Sequence, residues 1–244
     1  MTVAAHDAAA QPLALLQARA AEGVELSVCG EEGTVGVLAA VVPEDVTPFA
    51  RAWAGAAIRL RDDAVPRFVR CDLSRTDWTA VTFYGDGLPD GAHRRLDAPV
   101  FGWGRRWSQV AATPPVLYHD VRAFPPSETA RRLETLAADE GWPAESRAFD
   151  RTITDLAATG WLQYVALGAR GGPKLIVAVA RAEPALAIVR QTSPDVADRF
   201  EAVRRRLHGT IGYIAAAFDG GIRWRLYLRP IMTGNVAALV ECAR

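Results

Sequence analysis

Lysine is almost missing from this chain. Of the 28 basic residues in 244, Lys174 alone is lysine. Together with the wealth of alanine, glycine and arginine, this reflects GC-rich coding rather than a function. Net charge is missing too: Lys+Arg and Asp+Glu both total 28. That removes the electrostatic footprint of a general nucleic-acid binder, and no nucleic-acid partner is expected. There are only three cysteines, Cys29, Cys71 and Cys242, with no CxxC spacing. A disulfide framework or structural zinc is therefore not expected, and a reducing, cytoplasmic setting is. Met1 to Pro12 lacks a basic stretch followed by an apolar run, so it does not read as a signal peptide. No run of about 18 apolar residues offers a membrane span.

The motifs of several enzyme classes are equally missing. His6, His93, His119 and His208 show no metal-ligand spacing. Asp62-Asp63 is followed by Pro66 and Arg67, so it starts no DDxxD magnesium clasp. Gly85-Asp86-Gly87 and Gly102-Trp103-Gly104 are turn signals rather than phosphate loops. Ser74 and Ser108 lack the context of a nucleophile elbow. No metal and no cofactor are expected from these patterns.

What is present is a globular composition, half hydrophobic and 23% charged. The expected organisation is a disordered lead-in over 1–10 and a single domain over 11–244, long enough to bury a sizeable core. Within it a pattern of helix followed by β-hairpin recurs. Pro12 to Ala21 reads as a helix, then Val24 to Cys29 and Thr34 to Val42 as a hairpin around Gly30 to Gly33. Thr47 is a good N-cap with Pro48 in the first helical position, and Phe49, Trp53 and Ala56 follow at helical spacing. Arg67 to Leu73 and Trp78 to Tyr84 then form strands, and Gly85-Asp86-Gly87 ends the unit.

After a less regular middle the pattern returns. Ser146 to Ala158 is helical, and Trp161 to Gly168 with Lys174 to Arg181 forms a hairpin over Gly171-Gly172. Ser193 caps a helix whose stripe is Val196, Phe200, Val203 and Leu207. Ile211 to Ala217 and Ile222 to Arg229 are a hairpin over Asp219-Gly220-Gly221. From helix cap to the end of the second strand is 37 residues in one unit (Thr47, Tyr84) and 36 in another (Ser193, Arg229). Ala98 to Phe124 can hold a fifth hairpin, with Val116 to Val121 as one strand, and Ser127 to Glu140 is a further capped helix. Trp103 and Trp107 either form a lid or pack a satellite core.

Strand residues alternate between faces, so each strand declares which side it buries. Ile222, Trp224, Leu226 and Leu228 share one face; Arg223, Arg225, Tyr227 and Arg229 share the other. Val69, Cys71 and Leu73 oppose Phe68, Arg70 and Asp72. Val81 and Phe83 oppose Thr82 and Tyr84. Val24, Leu26 and Val28 oppose Glu25, Ser27 and Cys29. The helices can cover the apolar faces. The polar, basic and aromatic faces either meet water on an open sheet or line the lumen of a barrel that holds a ligand.

Repeated helix–hairpin units around a polar lumen resemble the aromatic prenyltransferases of the ABBA or PT-barrel type. Arg223-Trp224-Arg225-Leu226-Tyr227 is similar to the Arg-x-Lys-x-Tyr pattern of their indole branch, with arginine in the lysine position. Lys174, opening its strand, and Arg70 sit where family members carry further diphosphate-binding cations. Ile176 stands where a Lys-x-Tyr pattern would place tyrosine, and the chain is shorter than typical members.

The resemblance implies an α+β fold, an antiparallel barrel of ten strands ringed by helices. It implies metal-independent prenyl transfer from an allylic diphosphate to an aromatic, indole-type small molecule. Arg70, Lys174, Arg223 and Arg225 would stabilise the leaving pyrophosphate, with Arg229 on the same strand face. Tyr84, Tyr213 and Tyr227 would shield the allylic cation. Glu25 and Asp72 are the carboxylates available to hold an acceptor N–H and take its proton; each would otherwise form a salt bridge to a lumen arginine. A cyclase or condensing enzyme acting on an aromatic amino-acid-derived substrate, and a non-catalytic small-molecule carrier, are the alternatives.

Overall fold

Five hairpins joined edge to edge leave no free edge. In the computed structural model, ten antiparallel strands follow one another round a closed barrel, and the last pairs with the first. The structure describes residues 11–53, 66–72, 80–108, 110–142, 149–169, 171–231 and 236. The strands are β1 (Val24–Cys29), β2 (Val35–Ala40), β3 (Pro66–Asp72), β4 (Ala80–Asp86) and β5 (Val100–Ser108). They continue with β6 (Val116–Asp120), β7 (Gly160–Leu167), β8 (Lys174–Val179), β9 (Ile211–Phe218) and β10 (Ile222–Ile231). Closure decides between the two arrangements open to the sequence: the polar strand faces line a lumen rather than an open sheet.

The helices lie outside. Helix α1 (Pro12–Arg19) precedes β1, and α2 (Pro43–Ala52) links β2 to β3. Helices α3 (Pro126–Asp139) and α4 (Phe149–Ala157) link β6 to β7, and α5 (Ala182–Thr192) and α6 (Pro194–Arg206) link β8 to β9. Each later hairpin is thus preceded by a helix pair. The apolar stripes follow helical spacing: Phe149, Thr152, Ile153 and Leu156 are buried on α4, and Val196, Phe200 and Val203 on α6.

These stripes meet the outward faces of the strands in one continuous core. Leu26, Val37, Phe83, Trp107 and Leu175 contribute from the barrel, and Phe49, Leu133, Phe149 and Phe200 from the helices. Burying each such side chain contributes about 1.5–3 kcal/mol. The rings interlock edge to face, with Phe49 and Phe83 centroids 5.6 Å apart and Phe149 and Phe218 5.0 Å apart.

Several local expectations change. The helix expected to begin at Thr47 and Pro48 begins one turn earlier, with Pro43 in its first turn. Asp45 accepts the Val42 N–H at 2.9 Å, so the N-terminal signal lies there, and Thr47 Oγ1 donates to the Pro43 carbonyl. Helix α5 is additional: only Ser193 separates it from α6, and a sequence rich in alanine, with Pro184 in its first turn, hides the boundary. The fifth hairpin is present as β5 and β6. Trp107 belongs to the main core, 4.5 Å from the Phe83 ring, and forms neither a lid nor a satellite. The lead-in at 1–10, Ala56, Leu73, the turn Ser74 to Asp77, Trp78, the start of the expected helix at Ser146, and Cys242 lie outside the described residues.

Candidate active site

The inward faces of the strands enclose two cavities that share a waist. The first, about 290 Å³, is lined by Arg70, Lys174, Arg225, Arg106, Arg223 and Glu32, with Cys29, Thr82 and Thr113. The second, about 280 Å³, is lined by Glu25, Ser27, Phe68, Phe101, Trp103, Ile176 and the tyrosines 164, 213 and 227. Arg70, Tyr84 and Tyr118 line both.

Register brings these residues together. Glu25, Leu38, Arg70, Thr82 and Arg106 are successive cross-strand partners from β1 to β5. Lys174, Ala217 and Arg223 form a similar row across β8, β9 and β10. Every second residue of β10 faces inward, so Arg223, Arg225 and Tyr227 point at the lumen while Trp224, Leu226 and Leu228 join the core. Bulges change this parity elsewhere, two of them beside lumen tyrosines. Leu228 pairs with Ile211 but Tyr227 with Tyr213, and Leu162 pairs with Val177 but Tyr164 with Ile176. Each bulge inserts one residue, so Ile211 and Leu162 face the core while Tyr213 and Tyr164 face the lumen.

The waist is held from behind. Arg70 Nε donates to Ser27 Oγ at 3.1 Å, and Arg70 Nη2 to Asp72 Oδ1 at 2.6 Å. Gly36 leaves the room: a Cβ there would lie 2.4 Å from Arg70 Nε. Gly104 does the same for the aromatic pair, since its Cβ would lie 2.8 Å from Tyr84 Cε1 and 3.4 Å from Tyr118 Cε2. The two rings stand edge to face with centroids 6.0 Å apart, and Lys174 Nζ lies 5.4 Å from the centre of Tyr118.

The enclosure perturbs both kinds of charge. Burial pushes the Glu25 carboxyl up to about 7, against the pull of Arg70. Burial pushes the Lys174 ammonium down to about 8; Tyr84 opposes this, and the Arg225 and Arg70 cations add to it. Burial also raises Tyr118 and Tyr227, so both keep their hydroxyl protons. A cluster of crowded cations at one end and a carboxyl with suppressed ionisation at the other are complementary to an anion and to a neutral aromatic.

Of the residues singled out in the sequence, Glu25, Arg70, Lys174, Arg223, Arg225, Tyr84, Tyr213 and Tyr227 line the lumen. Arg223 is at its edge, ion-paired to Asp219 at 2.5 Å. Asp72 is half-buried and bound to Arg70, and Arg229 is exposed; neither lines either cavity. Arg106, Tyr118 and Tyr164 complete the walls. Tyr118 was visible in the alternation of Val116 to Val121. Arg106 was hidden by the two glycines of β5, and Tyr164 by the bulge in β7.

No family model matches the chain, and no curated protein matches it. Solved structures do. The crystal structure of 5-dimethylallyl tryptophan synthase from Streptomyces coelicolor in complex with DMASPP and Trp superposes with a TM-score of 0.55 at 13% identity, covering 85% of this chain and 78% of that one. A second crystal structure of 5-dimethylallyltryptophan synthase from Streptomyces coelicolor gives 0.53 at 16% identity, covering 93% and 89%. The chain therefore has the PT-barrel fold.

Proposed function

We propose that the protein transfers a prenyl group from an allylic diphosphate to an aromatic small molecule. The observation that carries this is one lumen with an arginine–lysine cluster at one end, a buried carboxyl at the other and tyrosines between. The solved structures that share the fold are tryptophan prenyltransferases, which supports the same kind of reaction.

Arg70, Lys174 and Arg225 hold the diphosphate, with Arg106 and Arg223 nearer solvent. These cations neutralise the charge that grows on the leaving oxygen as the C1–O bond breaks, so the step needs no metal. Guanidinium forks suit diphosphate oxygens. The allylic cation forms at the waist, where the faces of Tyr84 and Tyr118, with Tyr213 and Tyr227 beyond, shield it from water. The acceptor ring lies in the aromatic cavity and attacks C1. The Glu25 carboxylate accepts a hydrogen bond from the acceptor's N–H or O–H, stabilises the positive charge that develops on the ring and takes up the proton released as the ring regains aromaticity. Asp72 holds Arg70 in place rather than touching the reacting atoms.

The test is turnover in a metal chelator, with dimethylallyl or geranyl diphosphate against a panel of indoles and phenols, followed by mass spectrometry. A prenylated aromatic and pyrophosphate in equal amounts is the expected result. Diphosphate hydrolysis to the free alcohol with every acceptor would contradict it.

A further inference from the structure

The antiparallel topology gives the lumen two mouths of opposite character. At one end lie the turns that join each hairpin and the start of each even strand. There the cationic cavity reaches the exposed residues Glu32, Arg106, Thr113 and Arg223. At the other end lie the starts of the odd strands. There the aromatic cavity reaches Phe68, Asp86 and Phe101, with the two phenylalanines 43% and 52% exposed. Trp161, 67% exposed, stands on the same rim, across β8 from Tyr213.

A diphosphate arriving by the aromatic rim would pass Asp86, ion-paired to Arg67 at 3.2 Å, then the Glu25 carboxyl and a chamber walled by aromatic rings before it reached Arg70. Desolvating several negative charges on such a path is costly. By the other mouth the same anion meets Arg106 and Arg223, with Glu32 and Asp219 beside them, and passes directly to Arg70, Lys174 and Arg225, which leave this cavity cationic in sum so that its field draws the anion in. Entering prenyl tail first, it places its diphosphate among Arg70, Lys174 and Arg225 with C1 at the waist. The acceptor and the more apolar product match the exposed rings at the far end.

Resting on the function proposed above, we infer that the two substrates use opposite mouths: the diphosphate enters and pyrophosphate leaves between Arg106 and Arg223, and the aromatic passes over Phe68 and Phe101. Pyrophosphate can then depart while the prenylated product is still bound.

The experiment measures the association and dissociation rates of pyrophosphate by ³¹P line shape, without metal, in the full chain. Thr113→Trp and the smaller Thr113→Phe narrow the cationic mouth from an exposed turn. They should slow both rates together, by roughly tenfold for tryptophan and less for phenylalanine, while the Kd stays within about twofold. Ala40→Trp, on the aromatic rim opposite Phe68 in the β2–β3 pairing, should leave both rates unchanged. Slowing by Ala40→Trp, or no slowing by either Thr113 variant, would overturn the two-mouth inference while leaving the diphosphate site intact. No binding of pyrophosphate by the unaltered protein would instead overturn the diphosphate site itself.

Discussion

The two halves of the lumen are built by the same strands yet carry opposite kinds of side chain. Toward the hairpin turns the inward positions carry Arg70, Lys174, Arg225 and Arg106; toward the far end they carry Glu25, Phe101 and three tyrosines. A step of two residues along β10, from Arg225 to Tyr227, crosses from one regime to the other. The core outside the barrel is continuous across both halves. The difference teaches that the scaffold and the polarity of the site are separable: one face of each strand closes the barrel, and the other grades the lumen from cationic to aromatic. Substitutions on the inward face should therefore act on one half at a time.

The largest effect expected is at the aromatic end. If the proposed reaction holds, Glu25→Gln removes the charge that the acceptor meets and should lower kcat by about 10²–10⁴-fold, while pyrophosphate affinity stays put. The same change has a stability signature. The folded-state pKa of Glu25, about 7, lies above its ordinary value of 4.5. The carboxyl therefore contributes stability below pH 4.5 that is lost as pH rises through about 7. Melting curves of Glu25→Gln should lose less stability over that interval than the unaltered protein.

Next come the cations. Lys174→Ala or Arg225→Ala should each weaken pyrophosphate binding by about 2–3 kcal/mol, roughly 30- to 150-fold, as expected for charged hydrogen bonds. Indole binding in the other half should be little altered, which calorimetry with both ligands would check. The two ends also set a pH window. The proposed reaction needs Glu25 ionised and Lys174 protonated in the free protein, so kcat/KM should rise through pH about 7 and fall above about 8. Lys174→Arg should move the alkaline limb upward and leave the acid limb alone.

Gly36→Ala tests the waist with a smaller effect. The new methyl displaces the Arg70 guanidinium from Ser27 and Asp72 and should weaken pyrophosphate binding about tenfold, the loss of one charge-assisted hydrogen bond. The smallest change is expected at the rim: Phe101→Ala should raise the acceptor KM a few-fold and shift stability by less than about 1 kcal/mol, because the ring is half in solvent.

Much of this division was legible in the sequence, for a physical reason. From Glu25 to Cys29, Phe68 to Asp72, Ala80 to Tyr84 and Arg223 to Leu228 no extra residue interrupts the strand, so a strict two-residue alternation separates Glu25, Arg70, Tyr84 and Arg225 from the core residues between them. Closure was not legible from pattern alone, because an open sheet has the same alternation; the family resemblance is what favoured a barrel. Positions next to a bulge were the least readable. The extra residue in β9 makes Ile211 and Tyr213 share parity but not a face, and the one in β7 does the same to Leu162 and Tyr164. The partnership of Asp72 with Arg70 depends on side-chain reach along one strand, and sequence left it as one of two possibilities. Helix α5 was missed because a single residue parts it from α6, and no loop announces it.

The central claim is that the arginine–lysine half of the lumen is a diphosphate site that works through side chains. Calorimetric titration of pyrophosphate into the protein in chelator, beside the Lys174→Ala/Arg225→Ala double variant, tests it most directly. One site per chain, weakened or abolished in the double variant with its melting transition intact, is the result predicted. Absence of binding, or binding equally tight in both proteins, would contradict it.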